Sequence, residues 1–137
     1  MKLAPRISRP SAPRMEKPQP WRSESHLQFI RGLRICAATG KHGPVDAHHL
    51  IHIEKPDGTI DLRGGRRRGD DLTLPLDHAI HMKAHASGRP EDWLLETYGV
   101  LSRELCAALM AVSGDHDAGV RVVGRHLADA RLRRSIP

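Results

Sequence analysis

Histidine spacing is where chemistry first shows in this sequence. Ten histidines stand among 137 residues, and seven of them fall between His42 and His85. His81 and His85 are four residues apart. In a helix both imidazoles would lie on one face, one turn apart. Two such nitrogens can bind one divalent ion. Upstream, His48 and His49 are adjacent. On a strand, neighbouring side chains point to opposite faces. If His48 faces the helix it can supply a third ligand, and His49 is then set off the ion unless the strand is twisted or kinked. A histidine beside a metal but not bound to it can serve as a general base, because its ordinary pKa lies near neutrality. The ion would stabilise charge on a phosphate and on its leaving oxygen.

That geometry requires a strand, a loop, a second strand and a helix, and the chain offers them in order. Pro44 to Ile53 reads as a strand, ended by Pro56-Asp57-Gly58. Gly58 to Asp71 reads as a loop in which Gly64, Gly65 and Gly69 frame Arg66-Arg67-Arg68. Three arginines among glycines can bend onto a phosphate backbone; a solvated loop tip is the plainer alternative. Asp71 to Leu76 is short, apolar and strand-like. Asp77 is placed to cap the helix that follows, and Gly88 to stop it. Before this unit, Ser23 to Leu33 reads as a short helix capped by Ser23, with Leu27, Ile30 and Leu33 at three-residue spacing. Arg34 to Gly40 is an extended piece turning at Thr39-Gly40. After the unit, residues 91–98 and 100–112 read as helices, and Gly114 breaks the second. Residues 115–134 could form a third, with Gly119 and Gly124 weakening its propensity.

Length and composition bound the rest. The chain suits one domain with a modest core, and with one Phe, one Tyr and two Trp that core must be mostly aliphatic. Cys36 and Cys106 give no disulfide framework, residues 1–20 lack the apolar run of a signal peptide, and no stretch approaches a membrane span. A reducing, cytoplasmic setting is therefore expected. The net charge is +6. Residues 1–22 carry six basic side chains against Glu16, and residues 121–137 carry five arginines against Asp129. Basic ends around a slightly acidic middle suit a polyanion held from its flanks, or serve solubility alone. Residues 1–22 also hold five prolines and read as a disordered or extended arm.

Taken together, Leu33-x-x-Cys36, Asp46-Ala47-His48-His49, Asp71-x-x-Leu74-Pro75-Leu76 and His81-x-x-x-His85 resemble the HNH nucleases over about residues 26–98. The likeness is to small phage-encoded, recombination-associated HNH proteins. The paired histidines and the later His-x-x-x-His are also similar to the nuclease domains of DNase colicins. The resemblance implies an α+β fold with a ββα-metal centre, an N-terminal helix and a helical C-terminal cap. Residues 23–112 would form the nuclease domain and residues 113–137 a basic helix on or beside it. It implies that His49 activates water, that His48, His81 and His85 hold the ion, and that DNA is the substrate, in a bacterial cell carrying a phage or prophage. Asp71 falls near the position of the family's middle asparagine, which braces the loop; an aspartate can accept such bonds but not donate them.

The chain departs from the family at a second place. Where many HNH proteins hold a structural zinc with four ligands, this sequence has Cys36, Thr39, Asp77 and Ile80, and one ligand cannot hold zinc. Cys36 then reads as a small buried hydrophobe, and Cys106 as core. His52 shares a strand face with His48 by alternation and could approach substrate or pack. His78 should point away from His81 and His85 by about a hundred degrees or more. Three histidines favour Zn²⁺, Ni²⁺ or Co²⁺ for affinity, while catalysis could use Mg²⁺ or Mn²⁺ instead. The expected activity is metal-dependent DNA cleavage of low sequence specificity, on duplex, single-stranded or branched DNA, with Arg66, Arg67 and Arg68 holding phosphates. The alternatives are a non-catalytic, metal-stabilised DNA-binding accessory protein and an RNA-directed nuclease.

Overall fold

A computed structural model describes residues 21–54, 60–62 and 69–135, without the side chains of 52–54, 60–62 and 135. Five helices and four strands lie among the described residues, in a mixed α+β arrangement. The first helix, α1 (Glu24–Gly32), begins where the Ser23 side chain accepts from the His26 amide, and Glu24 suits the positive end of the helix. Its Leu27, Phe29 and Ile30 are buried. A tight turn follows, in which the Cys36 amide donates to the Lys41 carbonyl and the Gly40 amide to the Cys36 carbonyl. Gly40 takes φ +75°, which a side chain would resist.

The strand expected over 44–53 is broken. It forms β1 (Asp46–His49) and, after Leu50 and Ile51, β2 (His52–Glu54). Bonds to residues distant in sequence explain the break. The Leu50 amide donates to the Leu72 carbonyl, Leu50 itself is buried, and the Ile51 amide is drawn 2.7 Å to the Glu91 carboxylate. A second correction concerns the loop expected over 58–71. Residues Ile60–Leu62 form β3, paired antiparallel to β2 with His52 opposite Leu62. The apolar-polar-apolar order Ile60-Asp61-Leu62 carries the period of a strand.

The site rests on the other pair. β4 (Thr73–Leu76) runs antiparallel to β1, with His48 opposite Leu74 and His49 opposite Thr73. All four β4 residues are buried, because helices α1 and α4 pack on this strand of a two-stranded sheet. Helix α2 (His78–Ala86) starts at once: the Asp77 carboxylate accepts from the Ile80 amide, and Gly88 closes the exit at φ +77°. Helix α3 (Pro90–Tyr98) opens on Pro90, whose missing amide proton costs nothing there. Helices α4 (Ser102–Ala111) and α5 (His116–Ser135) complete the cap; α5 packs on α3 and α4, while α1 and α4 pack on β4.

The core is aliphatic, centred on Ile30, Leu50, Leu74, Leu94, Leu105 and Leu109. Cys36 and Cys106 are both buried thiols within it, and burial pushes the Cys106 thiol up, keeping it protonated. The glycine at 119 inside α5 has a packing reason. A Cβ there would meet Leu33 Cδ2 at 2.6 Å and Phe29 Cζ at 2.7 Å, so α5 and α1 touch backbone to side chain. No helix among the described residues is long and apolar enough to cross a membrane.

Candidate metal centre

Strand β1 and helix α2 supply the site. His48 sits in the middle of β1 and is fully buried. Its ring lies 5.0 Å from that of His81 and 5.4 Å from that of His85, centroid to centroid. His81 and His85 follow one another along α2, their rings 4.7 Å apart. The structure therefore brings together the three expected ligands. One donor atom from each of His48, His81 and His85 lies within 4.8 Å of the others. Nε2 of His81 and Nε2 of His85 face each other at 2.9 Å. Donor atoms on one tetrahedral Zn²⁺ stand about 3.3 Å apart, given Zn–N bonds of about 2.0–2.1 Å.

The donor set fits a divalent ion on an independent ground. Neither ring nitrogen of buried His48 has a hydrogen-bond partner. Its Nε2 lies 3.4 Å from Glu91 Oε1, within ion-pair range but without hydrogen-bond geometry. An orphaned buried polar group costs about 1–3 kcal/mol, and a cation bound to one of the two nitrogens removes that cost there. Burial first, and then the neighbouring His81 and His48 charges, push the His85 pKa down. A neutral imidazole is the form that binds metal.

Around these ligands lie acids that spacing alone did not single out. Asp46 Oδ2 accepts from Nδ1 of His81 at 2.9 Å and from Nδ1 of His78 at 2.9 Å. The bond from His81 holds the Asp46 carboxyl below its ordinary range, against the opposing effect of burial. A carboxylate on the far nitrogen of a metal-binding imidazole fixes its tautomer and raises its basicity. His78 was expected to point away from His81. Instead the two converge on one carboxylate, because residues three apart on a helix stand only about 60° apart around its axis, and Asp46 reaches both from β1. Strand alternation was the signal available for Asp46, which stands two residues before His48 and so on the same face. Glu91 had no such signal, since its approach depends on how α3 docks.

His49 is not part of the three-histidine cluster. Its Nε2 lies 2.8 Å from Asp70 Oδ1. Asp70 is buried and also takes the Ser23 amide at 2.8 Å and an Arg22 guanidinium N–H at 3.3 Å. Burial alone would raise its pKa, but the bonds from His49, Ser23 and Arg22 outweigh it and hold the carboxyl low. An ionised Asp70 keeps a proton on His49 Nε2, so the basic lone pair belongs to Nδ1. The bracing role expected of Asp71 thus falls on its neighbour. The turn in which Leu72 N donates to Gly69 O aims Asp70 inward, while Asp71 makes no side-chain hydrogen bond among the described residues. Asp77 serves α2 as its cap. Arg66, Arg67 and Arg68 lie outside the described residues, as do the basic arm before Trp21 and the side chain of His52.

Comparison of the chain with protein-family models, with curated proteins and with solved structures found no match.

Proposed function

We propose that this chain is a metal-dependent endonuclease of the HNH type, hydrolysing phosphodiester bonds in DNA from a ββα-metal centre made of β1, β4 and α2. The observation that carries the reading is the convergence of buried His48, whose ring nitrogens lack a hydrogen-bond partner, on the facing pair His81 and His85. Strand, strand and helix follow in the order the reading needs, and a separate histidine stands next to the first ligand in sequence.

His48, His81 and His85 would hold a divalent ion, which would supply positive charge for the scissile phosphate and the leaving oxygen. Asp46 orients His81 by accepting from its Nδ1. Glu91 holds the chain beyond β1 through the Ile51 amide. His49 acts as general base: a water oxygen bonds to phosphorus, its proton passes to Nδ1 of His49, and the bond from phosphorus to the leaving sugar oxygen breaks. Asp70 fixes the tautomer of that base and stabilises the imidazolium it becomes. Arg66, Arg67 and Arg68, with the basic arm and α5, hold the phosphate backbone, by contacts that weaken as salt rises.

The test is cleavage of supercoiled plasmid, single-stranded DNA and RNA by metal-stripped protein refilled separately with Mg²⁺, Mn²⁺, Zn²⁺ and Ni²⁺. Cutting of DNA with at least one ion supports the reading. Cutting of RNA alone would reassign the substrate. Tight DNA binding without cutting under any ion would make the cluster the structural centre of a DNA-binding protein.

A further inference from the structure

Helix α2 carries three histidines along one edge, at 78, 81 and 85, and β1 sets two groups against them, Asp46 and His48. The middle histidine faces both ways. His81 Nε2 meets His85 on one side, and His81 Nδ1 meets Asp46 on the other. Donor atoms of Asp46, His78 and His81 lie within 4.8 Å of one another, as those of the three-histidine group do. We propose that Asp46, His78 and the Nδ1 side of His81 form a second, solvent-facing site for a transition-metal dication, sharing His81 with the buried one.

Three features favour this. One carboxylate oxygen stands 2.9 Å from two imidazole nitrogens, close enough for all three to reach a common ion once the two N–H protons leave. The His78 side chain is 77% exposed, where a hydrogen bond to Asp46 gains little against water; a metal bond at the same place gains much more. Two imidazoles with one carboxylate suit Zn²⁺, Ni²⁺ or Cu²⁺ far better than Mg²⁺ or Ca²⁺. Filling the site displaces the protons that His78 and His81 now give to Asp46. That cost, with repulsion between two dications across one ring, makes it the weaker site.

The site stands apart from the nuclease reading, because its test counts ions and not cuts. Equilibrium dialysis of the full chain against Zn²⁺ should show a weaker ion in addition to the tighter one, and His78→Ala should lower the count by one. His42→Ala, at an exposed histidine elsewhere, should leave the count unchanged. Loaded with Cu²⁺, the parent chain should give the electron-spin coupling of two ions across a shared imidazole, and His78→Ala the spectrum of isolated ions. Asp46→Asn provides a second variant with the same expected loss of the weaker ion. A parent chain that binds a single ion and keeps it in His78→Ala would overturn the proposal, as would equal counts in parent and His78→Ala.

Discussion

His48 and His49 are neighbours that the fold sends to different work. His48 is buried beside the rings of His81 and His85, and His49 is tied to Asp70. Alternation on a strand made that division legible from two adjacent letters, just as four-residue spacing on a helix made His81 and His85 a pair. The acids around them were not legible. Asp70 and Asp71 are indistinguishable in sequence, and only the turn at Gly69 decides which carboxylate meets His49. Asp70→Asn should lower cutting by about 10- to 100-fold, in the range found for groups that orient a reacting or ligating histidine. Metal content should stay unchanged, because Asp70 touches none of the three ligands. Loss of the ion in that variant would contradict the separation of base from metal.

At the scale of elements, helix limits were readable because their signals are local: Ser23 and Asp77 cap, Pro90 opens, and Gly88 and Gly114 close. The strand over 44–53 was misjudged because its break is made from a distance, by Glu91 on α3 and by Leu72. The glycines of α5 show the same limit. Both reduce helix propensity equally, yet only Gly119 is pressed against another helix, while a Cβ at Gly124 would meet nothing within 4 Å. Gly119→Ala should therefore destabilise by about 1–3 kcal/mol through overpacking against Phe29 and Leu33. Gly124→Ala should stabilise by up to about 1 kcal/mol. Urea denaturation of the two variants checks both signs.

For the whole molecule, two histidines outside the site, buried His26 and half-buried His126, tie stability to pH. Burial pushes the pKa of His26 down, with nearby Asp70 and Asp71 opposing. Burial and then Arg133 push that of His126 down. Nε2 of His126 accepts from the Leu101 amide, which only the neutral ring can do. The unfolded chain binds these protons more readily than the folded one. Their stabilisation is therefore complete above the ordinary histidine pKa of about 6.5 and is lost as pH falls through the lowered folded values. The denaturation midpoint should drop below about pH 6.5, and His126→Gln, which can still accept from Leu101, should flatten that slope. Metal should act on stability too. An ion present at about 100 times its Kd should stabilise the fold by about 2.7 kcal/mol if the unfolded chain does not bind it, so chelation should lower the melting temperature.

The central claim is that a three-histidine site holds the ion while a different histidine does the proton chemistry. Metal content and plasmid cutting, measured side by side for the parent chain, His49→Ala and His85→Ala, address it most directly. The account predicts that His49→Ala keeps its ion and loses cutting by about 100-fold or more, and that His85→Ala loses both. A His49→Ala chain that cuts as fast as the parent, or a His85→Ala chain that keeps both ion and cutting, would contradict it.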